Sequence, residues 1–487
     1  MKIFSIPRRK PVFSPLMRLL WAIVLVLPVF GAKGGVLLTT LYTFGTSTNG
    51  ANPSAALMQG SDGYFYGTTE NGGAHTNAYN TSFGTLFEIS TNGSLASLYS
   101  FTGGNDGGNP AAALVQGSDG YFYGTTENWG ANQSGTIFKI DTNGSLTTLY
   151  SFPNLYSSAG TNGANPAAAL VEGGDGNFYG TTTAGGDLRL TDWPMGYGTP
   201  GLGTVFEIST KGALTNLHAF GLNDGGVPSG LIQGSDGSFY GTTSGGGALG
   251  SVFQISSNGT FTNLYSFPYG GGNPPAALVQ GSDGYFYGTT EYWGTNNAGT
   301  VFKIATNGSL TTLYSFTGGN DGGNPTAALV QGSDGDFYGT TSAGGDANVN
   351  PSGYGTVFKI STNGALTTLY SFTGLDDGGA PNGLIQGSDG SFYGTTANTG
   401  AGGAGAGIVF RLTIVPEFEA AIVTSNKLNL TWSTEVGGRY QLQYNSELTS
   451  SNWINLNSPV TATGATLSTT DSITNAPQRF YRLVLSP

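Results

Sequence analysis

One ten-residue segment constrains this chain more than any other feature. Gly-Ser-Asp-Gly-x-Phe-Tyr-Gly-Thr-Thr, or a close variant, occurs seven times, with its aspartate at Asp62, Asp119, Asp175, Asp236, Asp283, Asp334 and Asp389. Successive aspartates lie 57, 56, 61, 47, 51 and 55 residues apart. Repeats of this length are typical of the four-stranded units of β-propellers. The sequence therefore predicts one repeat array where 487 residues would otherwise suggest about three separate domains.

Each repeat contains four short strand candidates, which we call a, b, c and d. In the second repeat they are Ala112–Gln116, Tyr121–Thr126, Thr136–Ile140 and Leu146–Phe152. Ser-Asp-Gly separates a from b, and Thr-Asn-Gly or an equivalent separates c from d in most repeats. Asp-Gly and Asn-Gly favour tight hairpin turns because these residues tolerate positive φ angles. The b–c and d–a connections are longer, rich in glycine and variable.

The two ends of the array indicate how it closes. The first recognisable strand is a d strand, Leu37–Phe44, and the last is a c strand, Ile408–Leu412. The N-terminal strand would therefore complete the seventh unit and leave no open sheet edge. We predict an all-β, seven-bladed β-propeller over residues 36–414, closed by its N-terminal strand. A right-handed β-solenoid is the alternative, but its coils are usually shorter and would not explain the split unit.

Residues 1–35 are typical of a targeting segment. Basic residues precede an apolar run from Leu19 to Phe30, and small residues follow it. About 12 apolar residues are too few for a membrane span of about 20, so we predict a cleaved signal peptide and no integral membrane span after cleavage. An uncleaved signal anchor is the alternative.

A second, smaller domain is predicted over residues 415–487, where the repeat segments stop. Alternating strand candidates occur there at Lys427–Ser433, Arg439–Tyr444, Trp453–Leu456, Ala465–Thr470 and Arg479–Leu485. A core would be supplied by Trp432, Tyr440, Leu442, Tyr444, Trp453 and Phe480. The segment resembles a small fibronectin type III or immunoglobulin-like β-sandwich, without the cysteine pair of antibody domains.

Charge and cysteine content exclude several functions. The leader holds six of the 16 basic residues and no acidic one, so the rest of the chain has 10 − 28 = −18 charges. Such a surface does not attract nucleic acid or anionic membranes. The chain has no cysteine, which excludes disulfides, cysteine nucleophiles and cysteine-ligated zinc. We expect an exported monomer that is secreted, periplasmic or on the cell surface.

Three recurring segments carry a family resemblance: GSDGYFYGTT, GTVFKI and LTTLYSF. Over roughly residues 36–412 the chain resembles the GloVer-type tandem repeat of exported bacterial proteins called choice-of-anchor. The resemblance implies export and a repeat array, and it implies no established activity.

Candidate ligand-binding residues lie in the b–c loops, which a propeller places on one face together with the d–a loops. Aromatic rings stand beside carboxylates there, at Glu70, Glu127, Trp129, Glu291, Tyr292 and Trp293. An exposed ring can stack on a sugar while an acid accepts hydrogen bonds from its hydroxyl groups. The alternative is that both tryptophans pack between neighbouring repeats and the acids only follow strand b in solvent.

Aspartates in the d–a loops, including Asp106 and Asp321, are further ligand candidates. Calcium would suit such oxygen ligands, but Asn-Asp-Gly-Gly is also explained by turns, and no cofactor or metal is predicted. The Ser-Asp-Gly turns are interpreted as structural because they recur in every unit. Neither His75 nor His218 accompanies a G-x-S-x-G segment, so no hydrolase triad is predicted.

These observations favour an exported binding or scaffold module over an enzyme, with polysaccharide or another cell-surface polymer as the expected ligand. The first alternative is a glycoside hydrolase or lyase that uses carboxylates of the loops, for which no catalytic residue is assigned. The second is a purely structural surface protein.

Overall fold

A computed structural model of the chain describes residues 35–486, except 46–47, 80, 156–160, 188–200, 246–249, 269–271, 347, 349–352, 399–405, 417, 426, 435–438, 448–451, 465 and 474–478. The predicted signal peptide, apart from Gly35, lies outside the described residues. Within the described part of the chain, no helix is long and apolar enough to cross a membrane.

The described repeat region is all-β and consists of seven four-stranded antiparallel sheets, numbered 1 to 7 in the order of their Ser-Asp-Gly turns. Strands a to d of sheet 1 are Met58–Gln59, Phe65–Thr69, Thr85–Ile89 and Leu95–Ser100. Those of sheet 2 are Val115–Gln116, Phe122–Thr126, Thr136–Ile140 and Leu146–Ser151. Those of sheet 3 are Val171–Glu172, Phe178–Thr182, Thr204–Ile208 and Leu214–Ala219. Strands a to d of sheet 4 are Gly226–Gln233, Phe239–Gly245, Ser251–Ile255 and Phe261–Ser266. Those of sheet 5 are Val279–Gln280, Phe286–Thr290, Thr300–Ile304 and Leu310–Ser315. Those of sheet 6 are Val330–Gln331, Phe337–Thr341, Thr356–Ile360 and Leu366–Ser371.

Sheet 7 combines the two ends of the repeat region. Its strands a, b and c are Gly379–Gln386, Phe392–Asn398 and Ile408–Ile414, and its strand d is the N-terminal strand Val36–Thr43. The sequence predicted that strands c and d of this sheet belong to one unit, because the N-terminal unit lacks strands a to c and the C-terminal unit lacks strand d.

Strand a of sheet 2 is shorter than predicted, and four other sheets have an equally short strand a. It has two residues in sheets 1, 2, 3, 5 and 6, and eight residues in sheets 4 and 7. The segment Pro110–Leu114 of sheet 2 is one residue longer than its equivalent Pro228–Leu231 of sheet 4. In sheet 4 the pairing continues across an irregularity between Pro228 and Leu231. In the other sheets the extra residue interrupts the pairing of strand a with strand b. Strand propensity does not show this effect because it depends on the partner strand.

The core of the repeat region consists of strands b and c and the rings they contribute. The first five residues of each strand b are buried. The tyrosine of each strand b packs on the phenylalanine of the next, with centroids 3.9–4.1 Å apart, in the pairs Tyr66–Phe122, Tyr123–Phe178, Tyr179–Phe239, Tyr240–Phe286, Tyr287–Phe337, Tyr338–Phe392 and Tyr393–Phe65. Such pairs contribute about 0.5–1.5 kcal/mol each beyond area burial. The last pair joins sheet 7 to sheet 1.

Two series of hydrogen bonds follow the same order. The first threonine of each Thr-Thr donates to a carbonyl just before or within strand a of the next sheet, in the pairs Thr68–Ala112, Thr125–Ala168, Thr181–Ser229, Thr242–Ala276, Thr289–Ala327, Thr340–Asn382 and Thr395–Ala55. A strand-a side chain accepts from the turn amide of the preceding sheet, in the pairs Gln116–Ser61, Glu172–Ser118, Gln233–Gly174, Gln280–Ser235, Gln331–Ser282, Gln386–Ser333 and Gln59–Ser388.

The chain divides into two compact units, of which one is Leu38–Ser388 with Phe392–Arg411. The other is Met1–Leu37, Asp389–Ser391 and Leu412–Pro487. After the repeats, one sheet contains Phe418–Thr424, Lys427–Ser433 and Thr466–Ser472, and a second contains Ile454–Asn455, Arg439–Asn445, Val460–Thr461 and Phe480–Ser486. Their buried residues, among them Trp432, Tyr440 and Leu442, form one hydrophobic cluster.

Candidate functional site

The a–b and c–d turns form what we call the turn face, and the b–c and d–a connections form the loop face. On the turn face, the Ser-Asp-Gly aspartates serve the fold. Asp119 accepts a hydrogen bond from the amide of Tyr121 and another from the hydroxyl of Tyr123, at 2.7 Å. The same tyrosine bond occurs in the pairs Asp62–Tyr66, Asp175–Tyr179, Asp236–Tyr240, Asp283–Tyr287 and Asp334–Tyr338. Burial, and then the nearby carboxylate, raises the pKa of Tyr123. The turn role predicted for these aspartates is observed.

Aspartates of the d–a loops hold their own loops together. Asp106 accepts from the amide and hydroxyl of Thr102 and from the hydroxyl of Tyr99. Asp321 does the same with Thr317 and Tyr314. These two predicted ligand residues therefore have structural partners. Within the described residues, no group of three or more His, Asp or Glu side chains could hold a metal ion.

His218 occupies the tyrosine position of strand d in sheet 3. Its ring stacks on Phe261 with centroids 3.9 Å apart, and its Nε2 lies 2.8 Å from the Asp224 carboxylate. Asp224 also accepts from the amide of Gly221. The histidine therefore replaces the tyrosine both in packing and in holding the loop aspartate.

Glu70 and Glu127 follow strand b in the neighbouring sheets 1 and 2, and both are half-buried. Burial, and then the charge of Glu70, raises the pKa of Glu127. The two carboxylates are thus close enough to interact. Unlike Asp106 and Asp321, neither carboxylate makes a hydrogen bond that holds a described loop, although their backbone groups do.

Those backbone groups are held by asparagines that precede proline. Asn109 of sheet 2 donates from its side chain to the Glu70 carbonyl of sheet 1, at 2.9 Å, while its own carbonyl accepts from the amide of Glu127. The same side-chain bond to the preceding sheet occurs in the pairs Asn52–Ala397, Asn165–Glu127 and Asn324–Glu291. We call these four residues the bridging asparagines.

Sequence reasoning missed the bridging asparagines. The available signal was the recurrence of Asn-Pro at one place in five repeats. The four have φ of 54–55°, a region that asparagine enters more readily than most residues and that residues before proline ordinarily avoid.

Trp129 is part of this arrangement. Its indole donates to the Asn109 Oδ1 at 3.1 Å, and its ring packs edge-on against Phe83 of sheet 1, with centroids 5.1 Å apart. The ring therefore packs between neighbouring repeats, which was the alternative interpretation of this residue.

The equivalent residues of sheet 5 are arranged differently. Trp293 has φ of 98°, compared with 66° for Trp129, and packs edge-on against Phe267 of sheet 4 with centroids 5.7 Å apart. Asn273, which precedes proline here, donates to the Glu291 carboxylate at 3.1 Å. Tyr292 is 44% exposed, and hydrogen bonding to Glu291, followed by its charge, raises the pKa of this tyrosine. Glu291 lies three sheets away from Glu127, so the structure does not bring all predicted site residues together.

The fold and its loop face define an all-β tandem-repeat protein built of four-stranded sheets. A family model for the Gloeobacter/Verrucomicrobia repeat matches residues 29–191, 194–350 and 319–436. The chain belongs to this repeat family, which confirms the resemblance inferred from its three recurring segments. A comparison with curated proteins finds no match.

Several solved structures of enzymes are partly similar to this chain. A gluconolactonase from Xanthomonas campestris is 12% identical, with 78% of this chain and 90% of that chain covered and a TM-score of 0.41. A luciferin-regenerating enzyme is 12% identical over 78% of this chain and 95% of that chain, with a TM-score of 0.40. A family 43 arabinoxylan arabinofuranohydrolase from Bacillus subtilis is 13% identical over 92% and 96%, with a TM-score of 0.30. Likeness at this level carries no argument about the activity of this chain.

Proposed function

We propose that the repeat region is a seven-bladed β-propeller closed by its N-terminal strand, and that it acts as an exported binding module through its loop face. The closed ring is supported by contacts that run from each sheet to the next and from sheet 7 to sheet 1: stacked rings, threonine bonds to carbonyls, and strand-a side chains on turn amides. In each series the contact between sheets 7 and 1 has the same chemistry as the other six.

The proposed organisation has a cleaved signal peptide over residues 1–35, the propeller over 36–414 and a fibronectin type III-like sandwich over 415–487. The proposed location is extracellular, periplasmic or on the cell surface, with the protein a monomer. This is supported by the basic leader with its apolar run and by the absence of cysteine from the sequence.

The proposed ligand is a polysaccharide or another cell-surface polymer rich in hydroxyl groups. The observation that carries this proposal is the state of Glu127. A half-buried carboxylate beside a second carboxylate opposes folding at neutral pH, because burial and like charge both disfavour its ionised form. Groups that oppose folding in this way are concentrated at functional sites. The turn-face and d–a aspartates, in contrast, are used by the fold.

Binding can be tested by retention of the purified protein on a panel of soluble and insoluble polysaccharides. We expect retention by the natural protein and at least about tenfold weaker binding for Glu127→Gln, because a lost charge-assisted hydrogen bond contributes roughly 1.5–3 kcal/mol. Glu88→Gln, in strand c of sheet 1, is the control and should bind normally. Equal binding by all three proteins would remove Glu127 from the site.

A second candidate function is glycoside cleavage. It is favoured by the raised pKa of Glu127 next to Glu70, since carboxyl groups whose environments separate their pKa values can act as acid and base. Incubation with the same panel should then release reducing or unsaturated ends, and Glu127→Gln should abolish release. Retention without release would support the binding module alone. If the protein shows neither retention nor release, a structural surface protein is favoured.

A further inference from the structure

Sheet 5 departs from the four sheets that have a bridging asparagine at the corresponding residue, Asn273. Each bridging asparagine donates its side-chain amide to the preceding sheet, where the acceptor is a backbone carbonyl. Asn273 instead donates to the carboxylate of Glu291 within its own sheet, at 3.1 Å. It is also outside the left-handed region that the four bridging asparagines occupy. The amide that elsewhere joins two sheets therefore holds a carboxylate here.

This arrangement leaves a buried polar atom without compensation. The Oδ1 of Asn273 is buried and has no hydrogen-bond partner among the described residues. In sheet 2 the matching oxygen of Asn109 accepts from the indole of Trp129. Trp293 is turned towards Phe267 and does not supply the equivalent bond. An unpaired buried acceptor opposes folding, so the orientation of Asn273 is not explained by stability.

The held carboxylate stands beside an exposed ring. Glu291 lies next to the hydroxyl of Tyr292, whose side chain is 44% exposed on the loop face. A carboxylate has about four acceptor positions, so Glu291 can bind further donors while it accepts from Asn273. A neighbouring exposed aromatic ring offers an apolar surface for the C–H face of a sugar. The pair therefore suits a neutral carbohydrate, which carries hydroxyl donors and apolar faces together.

We propose that Glu291 and Tyr292 form a carbohydrate subsite on the loop face of sheet 5, in which Asn273 is a positioning residue that orients the Glu291 carboxylate. This rests on the binding function proposed above and adds the sheet, the contact residues and the ligand class. Glu291 accepts from sugar hydroxyls, and Tyr292 stacks on the ring.

The test is calorimetric titration of the full chain with cellohexaose, xylohexaose and mannohexaose, with thermal unfolding measured for each variant. The variants are Glu291→Gln, Tyr292→Ala and Asn273→Ala, and the matched control is Asn52→Ala. We expect the three sheet-5 variants to bind the preferred oligosaccharide at least about tenfold more weakly. Asn273→Ala should unfold at the same or a higher temperature because it removes the unpaired oxygen. Asn52→Ala should bind normally and unfold at a lower temperature because it breaks the bond from sheet 1 to the Ala397 carbonyl of sheet 7.

The outcomes separate this subsite from the wider proposal. Normal binding by the three sheet-5 variants, when the natural protein binds, would overturn the subsite and leave loop-face binding in place. A fall in unfolding temperature for Asn273→Ala as large as for Asn52→Ala would give Asn273 a structural role instead. A natural protein that binds none of the oligosaccharides but titrates calcium chloride, with loss in Glu291→Gln, would replace the sugar by a cation. Absence of binding to these probes and to the polysaccharide panel would overturn both proposals.

Discussion

At the scale of single residues, the carboxylates divide by what they contact. Asp106, Asp119 and Asp321 accept from amides and hydroxyls of their own loops or hairpins. Glu127 lies half-buried beside Glu70, without such a role. These contacts separate candidate binding residues from structural ones. In the sequence the two kinds cannot be told apart, because both are acidic residues beside glycine or aromatic residues.

Removal of a turn aspartate should destabilise the protein. Asp119→Ala leaves the buried hydroxyl of Tyr123 and the amide of Tyr121 without their partner, so the free energy of unfolding should fall by about 1–3 kcal/mol. Urea titration measures this. Tyr121→Phe, at an exposed side chain of the same hairpin, should change stability much less. Equal effects of the two variants would contradict the structural role of Asp119.

Stability should fall at alkaline pH. Burial, and then the charge of Asp106, raises the pKa of Tyr99 to about 12 from 10.0. Above pH 10 the unfolded tyrosine loses its proton while the folded one keeps it, so stability present below pH 10 is lost progressively towards pH 12. Thermal unfolding between pH 9 and about 12 measures the slope, which Tyr99→Phe should reduce. Tyr79→Phe, at an 89% exposed tyrosine, should leave the slope unchanged.

At acidic pH the same reasoning applies to Glu127 with the same sign, because its pKa is also raised. Its raised pKa means that the ionised form opposes folding, so this penalty is present at pH 7 and disappears as pH falls through the folded pKa. Glu127→Gln should therefore raise the unfolding temperature at pH 7 and have less effect near pH 4. Glu70→Gln should lower the pKa of Glu127, measurable by carboxyl NMR titration. A lower unfolding temperature for Glu127→Gln at pH 7 would show that the carboxylate serves the fold.

At the scale of elements, the two hairpins of a repeat require glycine for different reasons. Gly120 of the a–b turn has φ of 86°, and a Cβ there would meet nothing within 4 Å. Gly144 of the c–d turn has φ of 82°, and a Cβ there would lie 2.5 Å from the Leu98 carbonyl of the preceding sheet. The c–d turns therefore also pack closely on the preceding sheet, which explains the glycine in this position.

This difference predicts unequal effects of one substitution. Gly120→Ala should lower the free energy of unfolding by about 1–2 kcal/mol, because only the left-handed backbone is penalised. Gly144→Ala should lower it distinctly more, since the backbone conformation and the contact with Leu98 both oppose the methyl group. Urea titration of the two variants compares them directly. Equal losses would mean that the c–d turn can shift away from the neighbouring sheet at no cost.

At the scale of the whole molecule, the N-terminal strand is the element on which closure depends. A chain that begins at residue 45 lacks strand d of sheet 7 and leaves Ile408–Ile414 as an edge strand. Unpaired edges promote association, so this chain should form oligomers or aggregates and unfold less cooperatively. A chain that begins at Gly35 is the control and should be monomeric. Light scattering and thermal unfolding distinguish the two, and a monomeric, fully stable truncated chain would contradict the proposed closure.

Much of the fold could be predicted from the sequence because its signals are local and repeated. The strands of sheet 2 lie within a few residues of the predicted ones, and Thr136–Ile140 and Lys427–Ser433 have the predicted bounds. Strand a was overestimated because the extra residue in Pro110–Leu114 acts through pairing across the sheet. The strands Phe418–Thr424 and Val460–Thr461 of the C-terminal unit were missed, since no repeated motif marks them.

The sequence by itself determined the number of repeats and the turn residues, because hairpin chemistry and apolar alternation act between residues near in the chain. It also assigned the N-terminal strand to the last sheet, because the incomplete units at the two ends complete each other. Only the tertiary structure decided which similar residues serve the fold. Trp129 and Trp293 occupy equivalent positions, yet one bonds Asn109 while the other leaves the oxygen of Asn273 unpaired. That difference depends on the facing surface of the neighbouring sheet, where Trp129 packs on Phe83 and Trp293 on Phe267, and no local pattern encodes it.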